Sequence, residues 1–581
     1  MSSTDIIRIE ISKFLQSHLK ELHPEVPSVE DISCWLEKPP SSDMGDYALP
    51  CFRFAKIFRK PPPVIAQTIK EHLNQKKCDW IAHIDVAGGF LNLKIQQNKM
   101  ADYIFKRIDD ASFFKFPDAT QHPRVMVEYS QPNTHKEFHV GHGRNVCLGD
   151  SLTRLLEYTG HKTLPVNYIG DEGTHVAKCL WQWDRSGEQP HGTLAEWYGQ
   201  CYVQANQTLA NASDADKEIH HKEISHVLHQ IEQKSGKFYN MWQQSREHCM
   251  KDFLDIYSWL DVKFDHIFYE SDVSEESQSI VDEYLEKGLF AESDGAIGRN
   301  LEEHKLGFVL VRKSDGTTPY LTKDLALARK KFADFQIDRS IYVVGLEQSY
   351  HFQQVFKTLE LMGFPQAAQC HHLAYAHVTL PEGKMSSRKG NTFTFWQLIR
   401  LMEEQIEPLT RHQHHDWSEE ERLETLHRLA VGAIKWGMLD GDPSKEIVFE
   451  PSRWTSLEGR SGVYLMYTYT RANSMLRKAA DLNFQNIDST HLNTQIEHDL
   501  LRDLYEFNTT VTVACASYKP SILAGHLYYM SKNFNRFYTQ SPVLKCEKIE
   551  TKLARLALVK NFTIILKQGL KLLGMTPPER M

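Results

Sequence analysis

The sequence predicts an α/β protein built on a parallel sheet, with an α+β unit before the sheet and an all-α bundle after it. Three observations carry this. First, VMVEYS (Val125–Ser130) reads as a short buried strand, a polar turn follows, and Leu148, Leu152, Leu155 and Leu156 recur at i, i+4, i+7 and i+8, the core stripe of an amphipathic helix. Second, Gly160 closes that helix and HKTLPVNYIG reads as the next strand. Strand, turn, helix and strand in that order belong to a parallel sheet, whose ligand crevice lies at the carboxyl ends of its strands. Third, from about Trp417 to the end the chain reads as helix, the last one carrying Leu558, Phe562, Ile565, Leu566 and Leu573 on one face, as in a helix bundle.

The remaining elements follow in order. Pro132 prevents the first strand from continuing in a sheet. IIRIEISKFLQSHL is helical and IDVAGGFLNLKI extended, which makes the first unit α+β. Between Lys178 and about Ser274 the text turns helical, polar and rich in Trp, Gln and His, so that an insertion interrupts the sheet. The α/β pattern resumes with GFVLVRKSDGTTPYLTKDLALARKKF, then SIYVVG and EQSYHFQQVFKTLELMG. The expected division is residues 1–115, a Rossmann-type domain at 116–400 with its insertion at about 178–300, and a helical domain at 401–581.

At 581 residues the chain is too long for a single core, and roughly three to five domains are expected. Hydrophobic content of 41 % is that of a globular protein, no apolar run spans a bilayer, and MSSTDIIRIEISK lacks the features of a signal peptide. Ten scattered cysteines without a C-x-x-C pair argue against a zinc ribbon and for free thiols in a reducing cytoplasm. The 29 histidines, dense in HHKEISHVLHQ (His220–Gln230), read as solvated helix faces, and no metal site is expected. A net charge of −8 does not announce a nucleic-acid binder, so any polyanion must be met by local patches such as those around Arg329–Lys331 and Arg388–Lys389.

Two motifs carry chemistry. In HVGH, His139 and His142 flank Gly141 where the helix begins. A helix N-terminus offers unsatisfied N–H groups to a phosphate, imidazoles can donate to the same anion, and a glycine lets a flat base approach the backbone. In GKMSSRKGNTF (Gly383–Phe393), Lys384, Arg388 and Lys389 share one glycine-flanked loop that can neutralise a triphosphate. Singly, each motif also fits an ordinary polar turn.

Together, HVGH and KMSSR resemble the paired signatures of class I aminoacyl-tRNA synthetases. VEYSQPNTHKEFHVGHGRN, VNYIGDEGTH, VRKSDGTTPYLTKDLA and LEQSYHFQQVF narrow the resemblance to the arginyl-tRNA synthetases. It extends to MGDYALPCFRFAK and VAGGFLNLKI at one end and to HLYYMSKNFNRFY and LLGMTPPERM at the other, nearly the whole chain. The resemblance implies an enzyme that activates L-arginine with ATP and transfers it to tRNA(Arg), with Mg²⁺ arriving on the ATP. It places His139, Gly141, His142, Lys384, Met385 and Ser386 at ATP, and Glu128, Asn133, Tyr320, Asp324 and Gln348 at arginine. Carboxylates suit the planar guanidinium, Tyr320 lies one turn before Asp324 if the helix starts that early, and Asn133 and Gln348 match positions that hold the α-amino and carboxylate groups. A monomer in the cytoplasm, away from membranes, is expected.

The chain departs from the family pattern twice. Ser387 stands where the second lysine of KMSK is usual, and Lys136, with Lys384 and Lys389, is expected to supply that charge; Glu172 in GDEGTH stands where many relatives carry an aromatic. In the outer domains the resemblance assigns anticodon reading to the C-terminal bundle, with Tyr464, Tyr467, Tyr528, Phe534, Phe537 and Tyr538 available for stacking, and the tRNA elbow to Phe90 and Asn92. Two other functions compete. A small-molecule nucleotidyltransferase would not need the long helical C-terminal region, and a tRNA-binding paralogue that has lost catalysis is disfavoured by intact His139, His142, Lys384, Glu128 and Asp324. The lack of zinc-type cysteines disfavours a cysteine-specific synthetase, and the Asp324 context a lysine-specific one.

Overall fold

The computed structural model describes residues 5–116, 123–188, 193–379, 393–411, 417–484 and 487–581. The N-terminal unit packs helices, beginning with Ile6–Leu22, on an antiparallel sheet of β1 (Tyr47–Pro50), β2 (Ile81–Ala87) and β3 (Phe90–Ile95), ordered β1-β3-β2. Leu91, Leu93 and Ile95 alternate into its core. This unit docks on the C-terminal helix Gln495–Ala516: Asp46 meets His498 at 2.9 Å, and the Tyr505 hydroxyl donates to Asp5 at 2.7 Å.

The central sheet holds β4 (Arg124–Glu128), β5 (Lys162–Ile169) and β6 (His266–Tyr269). A separate antiparallel sheet follows, of β7 (Ala291–Ser293), β8 (Ala296–Asn300) and β9 (Phe308–Arg312); then come β10 (Arg339–Gly345) and β11 (Cys370–Tyr375). The central order is β11-β10-β4-β5-β6, and every pair is parallel. The order reverses between β4 and β10, so the crevice of this doubly wound sheet opens at their carboxyl ends. Val125, Met126 and Val127 are fully buried, the apolar run of a strand covered on both faces.

Three elements differ from expectation. GFVLVR does not rejoin the main sheet: Val309 and Val311 are buried while Phe308 is exposed, and this one-sided strand suits the small antiparallel sheet. The helical insertion ends at Trp259, and β6 is back in the central sheet within the span expected to be inserted. Within the C-terminal part, Ile447–Val448 (β13) pairs with Val378–Thr379 (β12), which puts one short strand inside the stretch expected to be helix throughout. The bundle beyond contains Gly462–Lys478, Gln495–Ala516, Pro520–Gln540 and Ile549–Leu572, and Leu558, Phe562, Ile565, Leu566 and Leu573 are all in its core.

Candidate active site

The HVGH helix, Val140–Tyr158, starts at the crevice with His139 as its N-cap. The Gly141 N–H donates to His139 Nδ1 at 3.1 Å, and the His139 N–H donates to His142 Nδ1 at 3.2 Å. Each Nδ1 is therefore an acceptor, and a neutral ring so bound carries its proton on Nε2. Burial pushes His139 down to about 4 and His142 well below the usual histidine value, with Lys136 contributing to both, so the rings are neutral at physiological pH. They stack at 4.0 Å and present two Nε2–H donors from one helix N-terminus. Gly141 has a local role too: a Cβ there would lie 3.0 Å from the His139 ring, which folds back over it.

The turn before HVGH is held in an unusual shape. Ser130, Gln131 and His135 have φ of 78°, 46° and 61°, left-handed conformations that such residues adopt only when the surroundings enforce them. Asn145, buried on the HVGH helix, does much of this. Its Oδ1 accepts from the Ser130 N–H at 2.7 Å, and its Nδ2 donates to Gln131 and to the Val343 carbonyl. Asn167 accepts from the Gln131 N–H, and Cys249 accepts from the His135 N–H. The motif reading missed Asn145; its only sequence signal is a polar residue inside an apolar helix stripe.

An acidic wall stands opposite. Glu128 ends β4, Tyr320 starts the helix Tyr320–Phe335 with Asp324 one turn on, and Gln348 sits between β10 and Ser349–Leu361. Tyr320 is 61 % exposed at the mouth, so the helix does begin early enough to put it on the Asp324 face. Burial pushes the hydroxyl of Tyr168 well up, and the carboxylates of Asp324, Glu270, Glu128 and Glu172 add to the rise. Gln348 occupies an N-cap position without a side-chain cap bond, so capping does not explain it. Asn133 lies over Gly170.

These acids differ in how free they are. Glu128 is buried, paired with the fully buried Lys331, and accepts from Gln131 Nε2 at 3.0 Å, so much of its charge is already answered. Asp324 receives His351 Nε2 at 2.6 Å; burial opposes charge on that ring, but the bond and charge of Asp324 outweigh it and raise His351. Glu270, at the end of β6 and not singled out from the sequence, is pushed up to about 7 by burial, with Glu172 and Asp171 adding and Lys323 opposing. Its Oε2 and Asn133 Oδ1 approach the same point above Gly170, at 3.5 and 2.3 Å from where a Cβ would stand. Gly170→Ala should therefore swing Asn133 out of the site and raise the amino-acid KM about tenfold, leaving the ATP KM unchanged. Steady-state kinetics check this, and an unchanged amino-acid KM would remove Asn133 from the site.

Lys136 lies with Nζ 5.3 Å from the Tyr202 ring, close enough to bear on both motif histidines. Lys384, Met385, Ser386 and Lys389 fall within residues 380–392, outside the described residues. Both flanks of that segment nevertheless meet the HVGH helix. Thr394 bridges His139, the Val140 N–H donates to the Phe393 carbonyl, and Arg144 donates to the carbonyls of Ala376 and His377 just before β12. The described residues on either side of that segment thus meet the HVGH helix.

In the outer domains, Phe534 and Phe537 are core residues, whereas Tyr467 and Tyr538 line a cavity of about 630 Å³ with Arg471, Arg477, Lys478 and Lys545. Arg471 lies 4.6 Å from the Tyr467 ring and 5.0 Å from that of Tyr538. In the N-terminal unit Asn92 is 5 % exposed, and the accessible surface beside Phe90 belongs to Phe52, 54 % exposed, with Arg53 against it. His220 is buried against Trp181, not solvated as expected, because its helix packs on Thr174–Ser186. Among the described residues, His18, Glu21 and His72 bring metal-type ligand atoms within 4.8 Å of one another, but Lys76 already stands 2.6 Å from Glu21 and supplies the cation.

Comparison with known proteins agrees along the whole length. Residues 111–450 match the family described as tRNA synthetases class I (R), catalytic domain; residues 7–95 match the arginyl tRNA synthetase N terminal domain, and 465–581 the DALR anticodon binding domain. The chain is 40 % identical to an arginine–tRNA ligase of Bdellovibrio bacteriovorus, covering 100 % of both, and 32 % identical to one of Clostridioides difficile, covering 99 % of both. Among solved structures it is similar to the Thermus thermophilus arginyl-tRNA synthetase, with a TM-score of 0.80 and 26 % identity over 99 % of this chain and 100 % of that one.

Proposed function

Because the chain belongs to the class I arginyl-tRNA synthetase family, we propose that it activates L-arginine with ATP and passes the arginyl group to the terminal adenosine of tRNA(Arg). The observation that carries this reading is the meeting of two neutral Nε2–H donors and an acidic wall at the β4/β10 crevice. The arginine carboxylate forms a bond to the α-phosphorus of ATP, the bond to the bridging oxygen breaks, and pyrophosphate leaves. The 2′-hydroxyl of the tRNA then attacks the adenylate carbonyl and releases AMP. No side chain forms a covalent intermediate; the chain positions the reactants and stabilises charge.

His139 and His142 donate to phosphate oxygens without adding charge, and Gly141 lies under the adenine. Lys136 supplies positive charge from within the described residues; Lys384 and Lys389 supply the rest, Met385 and Ser386 contact ATP as the family pattern implies, and Mg²⁺ is carried by ATP. Lys136→Ala should cut arginine-dependent pyrophosphate exchange by about ten- to a hundredfold with arginine affinity intact; normal exchange would sink the role given to Lys136. Asp324, Glu270, Tyr320 and part of Glu128 receive the guanidinium and ammonium groups of arginine, while Asn133 and Gln348 hold its α-amino and carboxylate ends.

The cavity holding Tyr467, Arg471 and Tyr538 suits splayed anticodon bases, which stack on aromatic and guanidinium planes. Phe90 and Phe52 suit the elbow of the tRNA. The ten free cysteines fit a reducing cytoplasm.

ATP–pyrophosphate exchange with each amino acid, with and without total tRNA, tests the reading. Exchange with arginine that appears only with tRNA supports it fully. Arginine exchange in both conditions keeps the enzyme but uncouples activation from tRNA. Silence for every amino acid, with tRNA still bound, identifies an inactive paralogue.

A further inference from the structure

Behind Tyr320 and Asp324 lies a charge cluster that motif reading does not touch. Lys323, between them in sequence, points inward rather than to the mouth, with only 11 % of its side chain exposed. Its Nζ pairs with Glu172 Oε1 and, at 2.9 Å, with Glu270 Oε1. Glu172 also accepts from the Ser274 hydroxyl. The three side chains come from the turn after β5, the end of β6 and the first turn of the helix bearing Tyr320 and Asp324. All three are close to fully buried.

Two carboxylates against one ammonium leave the cluster with a single negative charge. Glu270 spends Oε1 on Lys323, and its Oε2 approaches the point above Gly170 that Asn133 also approaches. Were Glu172 absent, Lys323 would have Glu270 as its only close partner, and the carboxylate facing the amino-acid site would be neutralised from behind. The other charged or titratable groups around Glu270 are Asp171, whose charge is answered by Arg246 at 2.9 Å, and the hydroxyls of Tyr168 and Tyr320. Burial pushes Glu270 up to about 7, with Glu172 adding and Lys323 opposing, so above that value it is the cluster as a whole that carries the surplus negative charge.

We propose that Glu172 is the counter-carboxylate of Lys323 and thereby keeps the cluster as a whole net negative towards a cationic group of arginine, so that Glu172 and Lys323 are positioning residues that set amino-acid affinity without touching the amino acid. The cost of burying Lys323 is met by two carboxylates, and the surplus charge faces the site. The inference rests on the placement of Glu270 beside Asn133 in the amino-acid site.

The test is arginine-dependent pyrophosphate exchange with tRNA at pH 8, using the full-length chain, with melting curves and tRNA binding as checks on folding. Glu172→Gln should raise the arginine KM about tenfold with kcat and the ATP KM unchanged. Glu172→Gln combined with Lys323→Met removes one charge of each sign and should bring the arginine KM back to within about threefold of wild type. A merely structural cluster would show the double variant worse than Glu172→Gln, and that result, or an unchanged KM in Glu172→Gln, overturns the inference. Should Glu172→Gln fail to fold, the double variant decides alone: a near-normal KM supports the inference and a raised one overturns it. Glu270→Gln separates the premise from the inference. If it leaves the arginine KM unchanged, the placement of Glu270 falls and the inference with it; if it raises the KM while Glu172→Gln does not, the inference falls alone.

Discussion

His142→Ala should lower kcat for arginine-dependent pyrophosphate exchange by about a hundred- to a thousandfold, the usual cost of removing one pre-positioned donor to a charge that grows in the transition state. Three features of the ring support so large an effect. Its Nδ1 is tied to the His139 N–H, its face is stacked on His139, and its Nε2–H is thereby aimed with little freedom. The substitution also removes the acceptor for the His139 N–H, a capping loss of about 1 kcal/mol, which is small beside the catalytic effect. A kcat within tenfold of wild type would show that His142 only caps the helix. The depressed values of His139 and His142 add a pH signature. Between about 4 and the ordinary 6.5 an unfolded chain takes up protons that the folded rings refuse, so these residues withdraw stability as pH falls through that window. Above it they stay neutral, and an acid limb of activity near neutrality would belong to another group, Glu270 first.

Arg144→Met is expected to destabilise the central domain by roughly 3–5 kcal/mol, visible as an earlier first transition in calorimetry with the C-terminal bundle less affected. Arg144 is among the largest fully buried side chains, and its guanidinium is held by backbone carbonyls alone: Ala376 and His377 before β12, and Pro443 and Lys445 before β13. Burial lowers it to about 10, against the opposing pull of Tyr375 and Asp442, and it is still charged at neutral pH. Methionine fills similar space but strands several buried carbonyls at once. Because the Ala376 and His377 carbonyls lie just before residues 380–392 in the chain, activity should fall further than the stability loss requires. An unchanged first transition would contradict this account.

Much of the architecture was legible before the fold was seen. Strand and helix periods place β4, the HVGH helix, β5 and β10, because the apolar pattern of a buried element is a local property of the chain. AHVTL reads as strand-like and holds β12, but its partner β13 was not legible, since two residues inside a helical stretch carry no period and the pairing joins segments far apart in the chain. Likewise, a pattern rich in aromatics does not tell core from binding surface: Phe537 and Tyr538 are adjacent, yet one is buried and the other lines the cavity, a matter of which helix face meets a neighbour.

The site divides along the same line. The residue types at HVGH, and the order of Glu128, Asn133, Tyr320, Asp324 and Gln348 along the chain, identify the family, because each is a side chain of suitable chemistry at a fixed local spacing. Their state was settled by partners from elsewhere in the fold. Glu128 is answered by Lys331, 203 residues away, and Glu172 and Glu270 share Lys323 across 151 and 53 residues. Asn145 holds the turn of Ser130 and Gln131 in a left-handed shape that neither residue would choose locally. Charge state, strain and accessibility depend on what burial brings alongside a group. That is a property of packing between distant segments, and no period or motif in one segment records it.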